Sequence, residues 1–454
     1  MRGELIEPKD EKYDSARKVY NAMIDRRPRM IARCADVADV IESVNFGGDT
    51  GLVIAIRGGG HNAGGLGVWD DALVIDLSPM RYTQVDPETQ TVRVGGGTTW
   101  GEVDHATHAF GLAVPSGIIS TTGVGGLTLG GGLGHLTRKC GLTIDNLVAA
   151  DVVLADGKFV TASEFRNEDL FWALRGGGGN FGVVTSFVFK AHAIQTDYAG
   201  PMLWDLERAP EIMAWYREFI VHATNDLSGF LAFMMVPPAP PFPEHLHNKR
   251  MCAIVWCYAG PLDKAEQVFA PIRRLKPAFE HVGPVPHPAL QSVFDGLYPP
   301  GLQWYWKADF ANELNDDAIR AHMKHALQIP NMFSAMHLYP INGAASEVGK
   351  DDTAWRYRDA TWAEVIIGVD PDPANKDRIV NWAKDYWNDV HPYSAGGAYV
   401  NFMMDEGEDR IRATYGENYD RLSSVKANYD PENVFRVNQN IKPRRAEATR
   451  EQAG

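Results

Sequence analysis

The glycines of this 454-residue chain are concentrated in one region, and that concentration limits the fold more than any other feature. Of the 44 glycines, 26 lie between Gly58 and Gly182. They include runs at 58–60, 95–97, 130–132 and 176–179. Glycine lacks a Cβ, so it permits left-handed turns and close approach of the backbone to a ligand. This region therefore predicts loops of bare backbone with short regular elements between them.

The charge balance excludes a nucleic-acid partner held by a basic surface. The chain has 44 Lys and Arg against 58 Asp and Glu, a net charge of −14. No apolar stretch reaches the roughly 18 residues of a membrane span, and the first residues lack the apolar segment of a signal peptide. The four cysteines have no spacing typical of metal ligands or of a disulfide framework. We therefore expect a cytoplasmic protein without a membrane partner or a metal site.

The length and a change in composition near residue 191 indicate more than one domain. Before this point, short β-branched runs alternate with glycine-rich turns and with helical segments at 37–46 and 99–110, which predicts an α+β unit. Beyond it, proline-rich loops separate helical segments from apolar strands, which predicts a sheet covered on one side by helices. The predicted helices there are 211–223, 316–327 and 376–390, and the predicted strands are 229–236, 251–258, 332–339 and 362–369.

Three glycine-rich patches have the composition of ligand-facing loops. In the first, 52–65 (LVIAIRGGGHNAGG), a buried strand ends in glycines that can turn N–H groups toward a phosphate without positive side chains. The second, 115–146, is too rich in glycine for a regular element and too apolar for a linker. In the third, Gly177, Gly179 and Gly182 fit GxGxxG, but helix precedes and strand follows, the reverse of a Rossmann motif. A tight turn with a surface histidine and a purely structural loop remain the alternatives for the first two patches.

Together, the patches resemble the FAD-linked oxidoreductases of the berberine bridge enzyme-like group, within the vanillyl-alcohol oxidase superfamily, and in type the bacterial 6-hydroxynicotine oxidases. The resemblance covers about half of the chain. It implies a two-part FAD-binding domain of the PCMH type (1–195 and 396–454) that receives an inserted antiparallel-sheet substrate domain (196–395). The motifs that carry it are RGGGHN at 57–62, ALVIDL at 72–77, the glycines of 125–134, RKCG at 138–141, Asp145 and Asn146, DLFWALR at 169–175, GGNFGV at 178–183, YDP at 429–431, Phe435, and 438–441.

The resemblance implies that His61 carries the flavin through one covalent bond to its 8α carbon. Many relatives add a cysteinyl bond from a position that is Gly123 here, so we expect a single link and assign Cys140 to packing. The cofactor-binding residues that the resemblance implies are Arg57, Gly58, Gly59, Gly60, His61, Asn62, Gly117, Thr121, Thr122, Gly123, Gly125, Gly126, Gly132, His135, Gly182, Val183, Tyr399, Asn401, Asn438 and Asn440.

For catalysis, the resemblance implies that a carbon next to O–H or N–H in a small organic substrate gives a hydride to flavin N5, with O2 as final acceptor and hydrogen peroxide as product. In a Tyr-x-Asn strand, Tyr399 is our first candidate for handling the substrate proton, and Asn401 for contacting the cofactor. Packing of Tyr399 against the ring is the alternative. In the inserted domain, alternation puts His337 and Tyr339 on one face of a strand. Glu364 follows in the next strand, and all three are candidate catalytic residues.

Residues 304–306 (WYW) could form an aromatic wall for a flat substrate or could belong to the core. Two other functions stay open at this level. A flavin-dependent dehydrogenase or oxygenase with another acceptor would use the same residues. A non-catalytic protein that binds flavin or a ligand would keep the same fold. The sequence identifies neither the substrate nor the oligomeric state.

Overall fold

The computed structural model describes residues 1–444 and has the predicted α+β architecture. Residues 445–454, the end of the predicted C-terminal segment 396–454, lie outside the described residues. Within 1–444, sheets of four, five and eight strands form the framework, together with one two-stranded pair. No helix in this range combines the length and the apolarity that crossing a membrane requires.

The four-stranded sheet carries the first glycine loop. Its region contains β1 (Glu4–Ile6), α1 (Tyr13–Ala16), β2 (Met30–Arg33), α2 (Val37–Thr50), β3 (Ile54–Arg57) and β4 (Leu73–Asp76). The strand order is β1-β2-β4-β3, and β4 runs parallel to both of its neighbours. α2 continues past its predicted end at residue 46 to Thr50, where Gly51 in a left-handed conformation (φ 67°) ends it. β3 leads directly into the run 58–60.

The five-stranded sheet is antiparallel, in the order β5-β6-β10-β8-β9. Its region contains β5 (Thr83–Asp86), β6 (Thr91–Gly95), α3 (Trp100–His108), β7 (Leu112–Ala113), α4 (Val124–Gly130), α5 (Thr137–Cys140), β8 (Leu147–Val153), β9 (Phe159–Ser163), α6 (Glu168–Leu174), β10 (Val183–Lys190) and β11 (His192–Ala193). α3 begins at a capping box made by Thr99 and Glu102. The predicted hairpin turn at Asp156 and Gly157 is confirmed, since it joins β8 to β9.

The eight-stranded sheet is antiparallel, in the order β15-β12-β14-β13-β18-β19-β17, with β16 beside β12. Its region contains β12 (Thr196–Asp205), α7 (Ala209–His222), β13 (Leu227–Met235), β14 (Arg250–Tyr258), α8 (Ala265–Arg273), β15 (Phe279–Glu280), β16 (Gly283–Pro286), α9 (His287–Gln291), β17 (Gln303–Ala311), α10 (Asp316–Ala326), β18 (Ala335–Pro340), α11 (Ala344–Glu347), β19 (Trp362–Asp370) and α12 (Lys376–Val390). α12 has the predicted bounds, 376–390.

Both faces of this sheet are buried, and alternation along each strand divides its side chains between two cores. On β13, Leu231 and Phe233 pack with α7, α8, α10 and α12 on the helix-covered face. Phe230 and Ala232 point the other way, into a core shared with the glycine-rich region and with Tyr399. The prediction that helices cover one side is therefore confirmed, and we call the opposite side the inner face.

The C-terminal part, with α13 (Glu408–Tyr415) and α14 (Tyr419–Tyr429), returns to the glycine-rich region. The fully buried Lys426 anchors it there: its ammonium donates to the carbonyl oxygens of Asn180 at 2.6 Å and Phe435 at 2.9 Å, and pairs with Asp430 at 2.6 Å. Burial lowers the pKa of Lys426, and Asp430 opposes that shift. The division into 1–195, 196–395 and 396–454 stays our proposal.

Candidate active site

A cavity of about 310 Å³ lies where the glycine loops, the inner face and the C-terminal segment meet. His337 on β18 and Val365 on β19 are among the inner-face residues that line it. Of the described lining residues, Arg57 alone carries a permanent charge, and its guanidinium pairs with Asp76 at 2.8 Å. The cavity wall is therefore close to electrically neutral.

Bare backbone forms one wall of the cavity. A Cβ at Gly59 would lie 2.7 Å from Cα of Gly123, and a Cβ at Gly58 would lie 3.2 Å from the carbonyl oxygen of Gly96. Gly60 adopts a left-handed conformation (φ 70°) and turns the chain after β3. Because these loops touch each other without side chains, a ligand on this wall meets backbone groups, an arrangement that suits a diphosphate.

The second glycine patch is divided between two roles. Gly117, Gly125 and Gly126 line the cavity. Gly130 lies outside the lining: a Cβ there would be 2.6 Å from Cγ of Asn401. Part of this patch therefore faces the ligand space, and Gly130 serves close packing against the C-terminal segment.

The imidazole of His61 is held on three sides. The ring of Tyr20 stacks on it, with centroids 3.9 Å apart and an interplanar angle of 20°. The Thr121 hydroxyl lies 3.1 Å from Nε2, and the Thr122 hydroxyl lies 3.5 Å from Nδ1. Burial lowers the pKa of His61 to about 4. At neutral pH this side chain is an uncharged imidazole with one nitrogen lone pair available.

The phenol oxygen of Tyr399, also on the cavity wall, accepts two hydrogen bonds. The N–H of Gly132 and the side-chain amide of Asn401 both donate to it at 2.8 Å. Burial raises the pKa of Tyr399 to about 12, and both donors oppose that rise because they stabilise the phenolate. The expected Tyr-x-Asn strand is wrong: Tyr399 precedes a 3₁₀ turn, Val400–Phe402, in which Asn401 still turns back to the phenol.

His337 and Tyr339 form a neutral pair on the inner face. The Tyr339 hydroxyl lies 2.9 Å from Nδ1 of His337. Burial lowers the pKa of His337 to about 3 and raises the pKa of Tyr339 above its ordinary value. With the imidazole uncharged, the Tyr339 hydroxyl can donate to Nδ1, and the N–H at Nε2 then has no partner among the described residues.

Comparisons with known proteins match both ends of this site. The FAD binding domain family matches residues 28–163, and the berberine and berberine-like family matches residues 398–442. An FAD-linked oxidoreductase from Dictyostelium discoideum is 30% identical over 98% of this chain and 95% of the relative. The chain belongs to the berberine bridge enzyme-like FAD-linked oxidoreductases.

Solved structures of this family have the same fold. A crystal structure of 6-hydroxy-D-nicotine oxidase from Arthrobacter nicotinovorans matches with a TM-score of 0.87 and 25% identity, over 98% of each chain. Glucooligosaccharide oxidase from Acremonium strictum, described with 6-S-cysteinyl, 8α-N1-histidyl FAD, matches with a TM-score of 0.85 and 25% identity, again over 98% of each chain.

The residues of the cavity fit the FAD of this oxidoreductase family. The bare wall at Gly58 and Gly59 suits the diphosphate. The carbonyl oxygen of the Asn438 side chain, on the cavity wall, is buried without a hydrogen-bond partner in the described part of the chain, so it is an acceptor available to a bound group. Within the same range, no cluster of three or more His, Cys, Asp or Glu side chains could hold a metal ion.

The structure brings most of the predicted site residues together. Those that line the cavity are Arg57, Gly58, Gly59, Gly60, His61, Asn62, Gly117, Thr122, Gly123, Gly125, Gly126, Gly182, His337, Tyr339, Tyr399, Asn401 and Asn438. Thr121 and Gly132 stand behind the lining and contact His61 and Tyr399. Asn440 also lies outside the lining.

Three further predicted residues do not reach the cavity. His135 is buried behind it, with its ring centroid 6.2 Å from that of Phe230. Val183 pairs with Val153 at the start of β10 and packs in the core between the two smaller sheets. The resemblance gave these positions, but side-chain direction on the wall decides which of them meets a ligand.

Glu364 is the third, and the structure contradicts its assignment as a catalytic candidate. Its strand neighbours Val365 and Ile367 line the cavity, so Glu364 points to the helix-covered face. There its Oε1 is 3.9 Å from Nδ1 of His322. Burial and the nearby Asp309 raise the pKa of Glu364 well above its ordinary value.

Sequence reasoning missed Tyr20. Its N–H donates to the carbonyl oxygen of Gly60 at 3.0 Å, and its hydroxyl donates to the carbonyl oxygen of Tyr298. A single tyrosine outside any motif gives no signal for this role. Trp304 and Trp306 line the cavity, in agreement with the aromatic-wall interpretation of residues 304–306. Tyr305 points to the helix-covered face.

Proposed function

We propose that this protein is an oxidase that carries FAD on His61 through one covalent bond and oxidises a small, flat, uncharged substrate with O2. When bound, FAD accepts a hydride from a substrate carbon next to O–H or N–H and passes the two electrons to O2, which gives hydrogen peroxide. The observation that carries the proposal is the position of His61, which lies on the cavity wall beside the bare glycine loops.

Gly123 supports a single covalent link. The relative with a cysteinyl bond needs a side chain at its second attachment point. Here a Cβ at Gly123 would lie 2.8 Å from Cα of Gly59, which is closer than real Cβ contacts. A cysteine at this position would force the two glycine loops apart, so the close loop packing and a second link exclude each other.

Tyr399 is our candidate for orienting the substrate heteroatom and, once it has lost its own proton, for receiving the substrate proton. The two N–H groups that donate to its oxygen occupy both lone pairs, so its own proton is the part left to contact a substrate heteroatom. The same two donors stabilise the phenolate when that proton is shared or lost. His337 offers a second uncharged donor, the N–H at Nε2, for orienting the substrate.

The cavity favours a flat and uncharged substrate. Trp304 and Trp306 meet edge to face with centroids 5.8 Å apart, and Trp306 meets Phe402 in the same way at 5.8 Å. These rings provide a broad apolar surface. A cationic substrate would find no carboxylate among the described lining residues.

The first experiment asks where the flavin is. Purified protein should be yellow, and the colour should remain with the acid-precipitated polypeptide; His61→Ala should release it. A colourless protein, or flavin fully released from the natural chain by acid, would contradict the proposal.

The second experiment tests turnover. Under anaerobic conditions, a panel of phenolic alcohols, N-heterocycles and sugars is screened for bleaching of the flavin, and we expect an uncharged aromatic member to bleach it. Stopped-flow reoxidation by O2 should then be fast. Slow reoxidation would favour a dehydrogenase, oxygen transfer to the substrate would favour an oxygenase, and no bleaching by any compound would favour a binding protein.

A further inference from the structure

One irregular segment of the chain reaches from the eight-stranded sheet to the glycine loops. It comprises residues 291–302, from the last residue of α9 to the start of β17, and forms a series of turns; we call it the strap. Phe294 fixes the strap to the sheet, because its ring centroid lies 6.0 Å from that of Phe230 on the inner face. Tyr298 of the strap lines the cavity. Irregular segments held by a rigid scaffold commonly carry functional residues.

The strap holds one loop of the cavity at two points. This loop comprises residues 116–122, which we call the wall loop, and the members that line the cavity are Gly117, Ile118, Ile119 and Thr122. Near its start, the side-chain amide of Gln291 donates to the carbonyl oxygen of Gly117 at 2.9 Å and to the hydroxyl of Ser116. Near its end, the carboxylate of Asp295 accepts from the N–H of Ser120 at 3.0 Å and from the hydroxyl of the same residue. Because its acceptor is charged, the Asp295 contact is the stronger of the two.

Ser120 connects the strap to the surroundings of His61. The next residue, Thr121, has its hydroxyl 3.1 Å from Nε2 of His61. At the start of α3, the N–H of Gly101 donates to the carbonyl oxygen of Ser120 at 2.8 Å. Without the Asp295 carboxylate, Ser120 keeps this contact but loses the restraint on its N–H and its hydroxyl. We therefore expect the wall loop to lose order while the surrounding fold remains.

The other end of the strap restrains a second neighbour of His61. The ring of Tyr20 stacks on the imidazole with centroids 3.9 Å apart, and its hydroxyl donates to the carbonyl oxygen of Tyr298. The carbonyl oxygen of Tyr20 accepts from the N–H of Gly301 at 3.1 Å. The strap thus restrains Tyr20 directly and Thr121 through Ser120, and both of these residues contact the imidazole.

We propose that Asp295 is a positioning residue for FAD: it holds the wall loop, through Ser120, in the conformation that receives the cofactor. The eight-stranded sheet thereby contributes to FAD binding, although Asp295 does not line the cavity itself. This inference rests on the proposed function only in that FAD occupies the cavity, and it holds with or without the covalent link.

Two substitutions of Asp295 separate hydrogen bonding from charge and from size. In Asp295→Asn both bonds can remain, because the amide oxygen accepts from the N–H of Ser120 and the amide nitrogen donates to the hydroxyl oxygen. In Asp295→Leu a side chain of similar size makes neither bond. The two variants are therefore a matched pair.

Asp226 provides a control outside the cavity wall. Its carboxylate accepts from the ammonium of Lys139 at 2.8 Å, so it also joins the region of the eight-stranded sheet to the glycine-rich region. The side chains of Lys139 and Asp226 are 30% and 34% exposed, and neither lines the cavity. Asp226→Leu removes a polar contact between the same two regions and should leave FAD binding unchanged.

The test measures FAD affinity in full-length protein that carries His61→Ala, so that no covalent bond masks reversible binding. Quenching of FAD fluorescence gives the Kd. Asp295→Leu should weaken binding by about tenfold, the equivalent of one hydrogen bond of about 1.4 kcal/mol. Asp295→Asn and Asp226→Leu should match the parent. In the chain that keeps His61, produced under flavin limitation, the rates of FAD uptake should follow the same order.

Thermal unfolding of each variant separates a positioning role from a loss of stability. Both leucine variants lose a polar contact and should unfold at a slightly lower temperature, but of the two only Asp295→Leu should lose FAD affinity. Ser120→Ala, which removes the hydroxyl alone, decides the question if Asp295→Leu does not fold. It should weaken FAD binding by about threefold.

The failures are distinguishable. If the chain that keeps His61 never acquires FAD, the proposed function is wrong, and this inference falls with it. If FAD binds but Asp295→Leu holds it as tightly as Asp226→Leu, or Asp295→Asn holds it as weakly as Asp295→Leu, Asp295 has no positioning role. An unchanged affinity in Ser120→Ala would overturn the inference in the same way. If His61→Ala abolishes binding, the rates of FAD uptake decide by the same comparisons.

Discussion

The two faces of the eight-stranded sheet differ in what they do with buried titratable groups. On the inner face, His337 is kept uncharged beside the cavity, and the lining has no carboxylate in the described range. On the helix-covered face, Glu364 and Asp309 are opposite each other on paired strands. Neighbouring residues of one strand, Glu364 and Val365, thus face very different surroundings.

The helix-covered face shows two ways in which a buried carboxyl group is tolerated. Asp309 is paired: His391 lies 2.9 Å away, and Arg410 forms an ion pair with it. Glu364 has no such cation among residues 1–444, and its raised pKa keeps it protonated instead. The inner face uses the second solution for His337, and no carboxylate of the described range lines the cavity that we propose for the substrate and the cofactor. A step of one residue along the strand therefore separates the structural carboxyl of Glu364 from a position that lines the cavity.

The largest effect on stability is expected from a carboxyl group placed on the inner face. Val365→Glu puts an unpaired charge beside the cavity, where the lining cation Arg57 is already paired. Such a charge should cost about 3–5 kcal/mol of unfolding free energy. Denaturant unfolding measures it, and Val365→Leu, with a cost below about 1.5 kcal/mol, is the control. Equal stability of the two variants would mean that the inner face accepts charge.

Removing the phenol of Tyr399 should have the next largest effect. Tyr399→Phe keeps the ring but leaves the N–H groups of Gly132 and Asn401 without their acceptor. Flavin reduction by the substrate that bleaches the natural protein should slow by about 10²–10³-fold, as expected for a lost proton acceptor. Tyr415→Phe, which removes another phenol of the cavity wall, should have little effect. An unchanged rate in Tyr399→Phe would leave Tyr399 with a packing role only.

Two histidines, one on each side of the sheet, sharpen the comparison. The pKa of both His337 and His322 is lowered to about 3 by burial. His337→Gln should lower kcat/KM by about tenfold through loss of one substrate hydrogen bond. His322→Gln should leave kcat/KM unchanged but lose about 1–3 kcal/mol of stability, because the hydroxyl of Tyr386, 2.9 Å from its Nδ1, loses its partner. A loss of kcat/KM in His322→Gln without one in His337→Gln would contradict the roles that we give to the two faces.

Glu364→Gln should have the smallest effect on catalysis, with no change in the rate of flavin reduction. The stability of the natural protein should depend on pH, because the folded protein keeps a proton on Glu364 that the unfolded chain releases above the ordinary pKa of 4.5. The natural protein therefore loses stability as pH rises from 4.5. Relative to it, the unfolding free energy of Glu364→Gln should increase by up to about 1.4 kcal/mol per pH unit. Unfolding at several pH values measures this, with the exposed Glu88→Gln as control. Parallel curves would contradict the raised pKa.

Long periodic segments were predictable from the sequence alone. α12 has the predicted bounds, and β14 (Arg250–Tyr258) differs from the predicted 251–258 by one residue. Here a continuous helical or strand pattern is bounded by turn residues, so local information is enough. α2 ran past its predicted end because Gly51 ends the helix, and the glycines before it do not.

The site was predictable only where a motif fixed it. The glycine runs identified the bare wall, and the motif around His61 identified the family's attachment position. Glycine shows that something approaches the backbone, but not what: at Gly130 it is Asn401 and not a ligand. Alternation put His337 and Tyr339 on one face, yet Glu364 could be placed only once pairing joined Leu338 to Glu364 and His337 to Val365.

The sequence by itself determined where the backbone is bare and which segments are helices and strands. It also determined that position 123 is a glycine, which has no thiol for a second flavin link. The tertiary structure decided which side chains meet: Tyr20 with His61, and Gly132 with Tyr399 across 267 residues of chain. The reason is physical. Periodicity sets the direction of a side chain relative to its own strand, whereas its neighbours depend on strand register and on packing between segments that are distant in the chain.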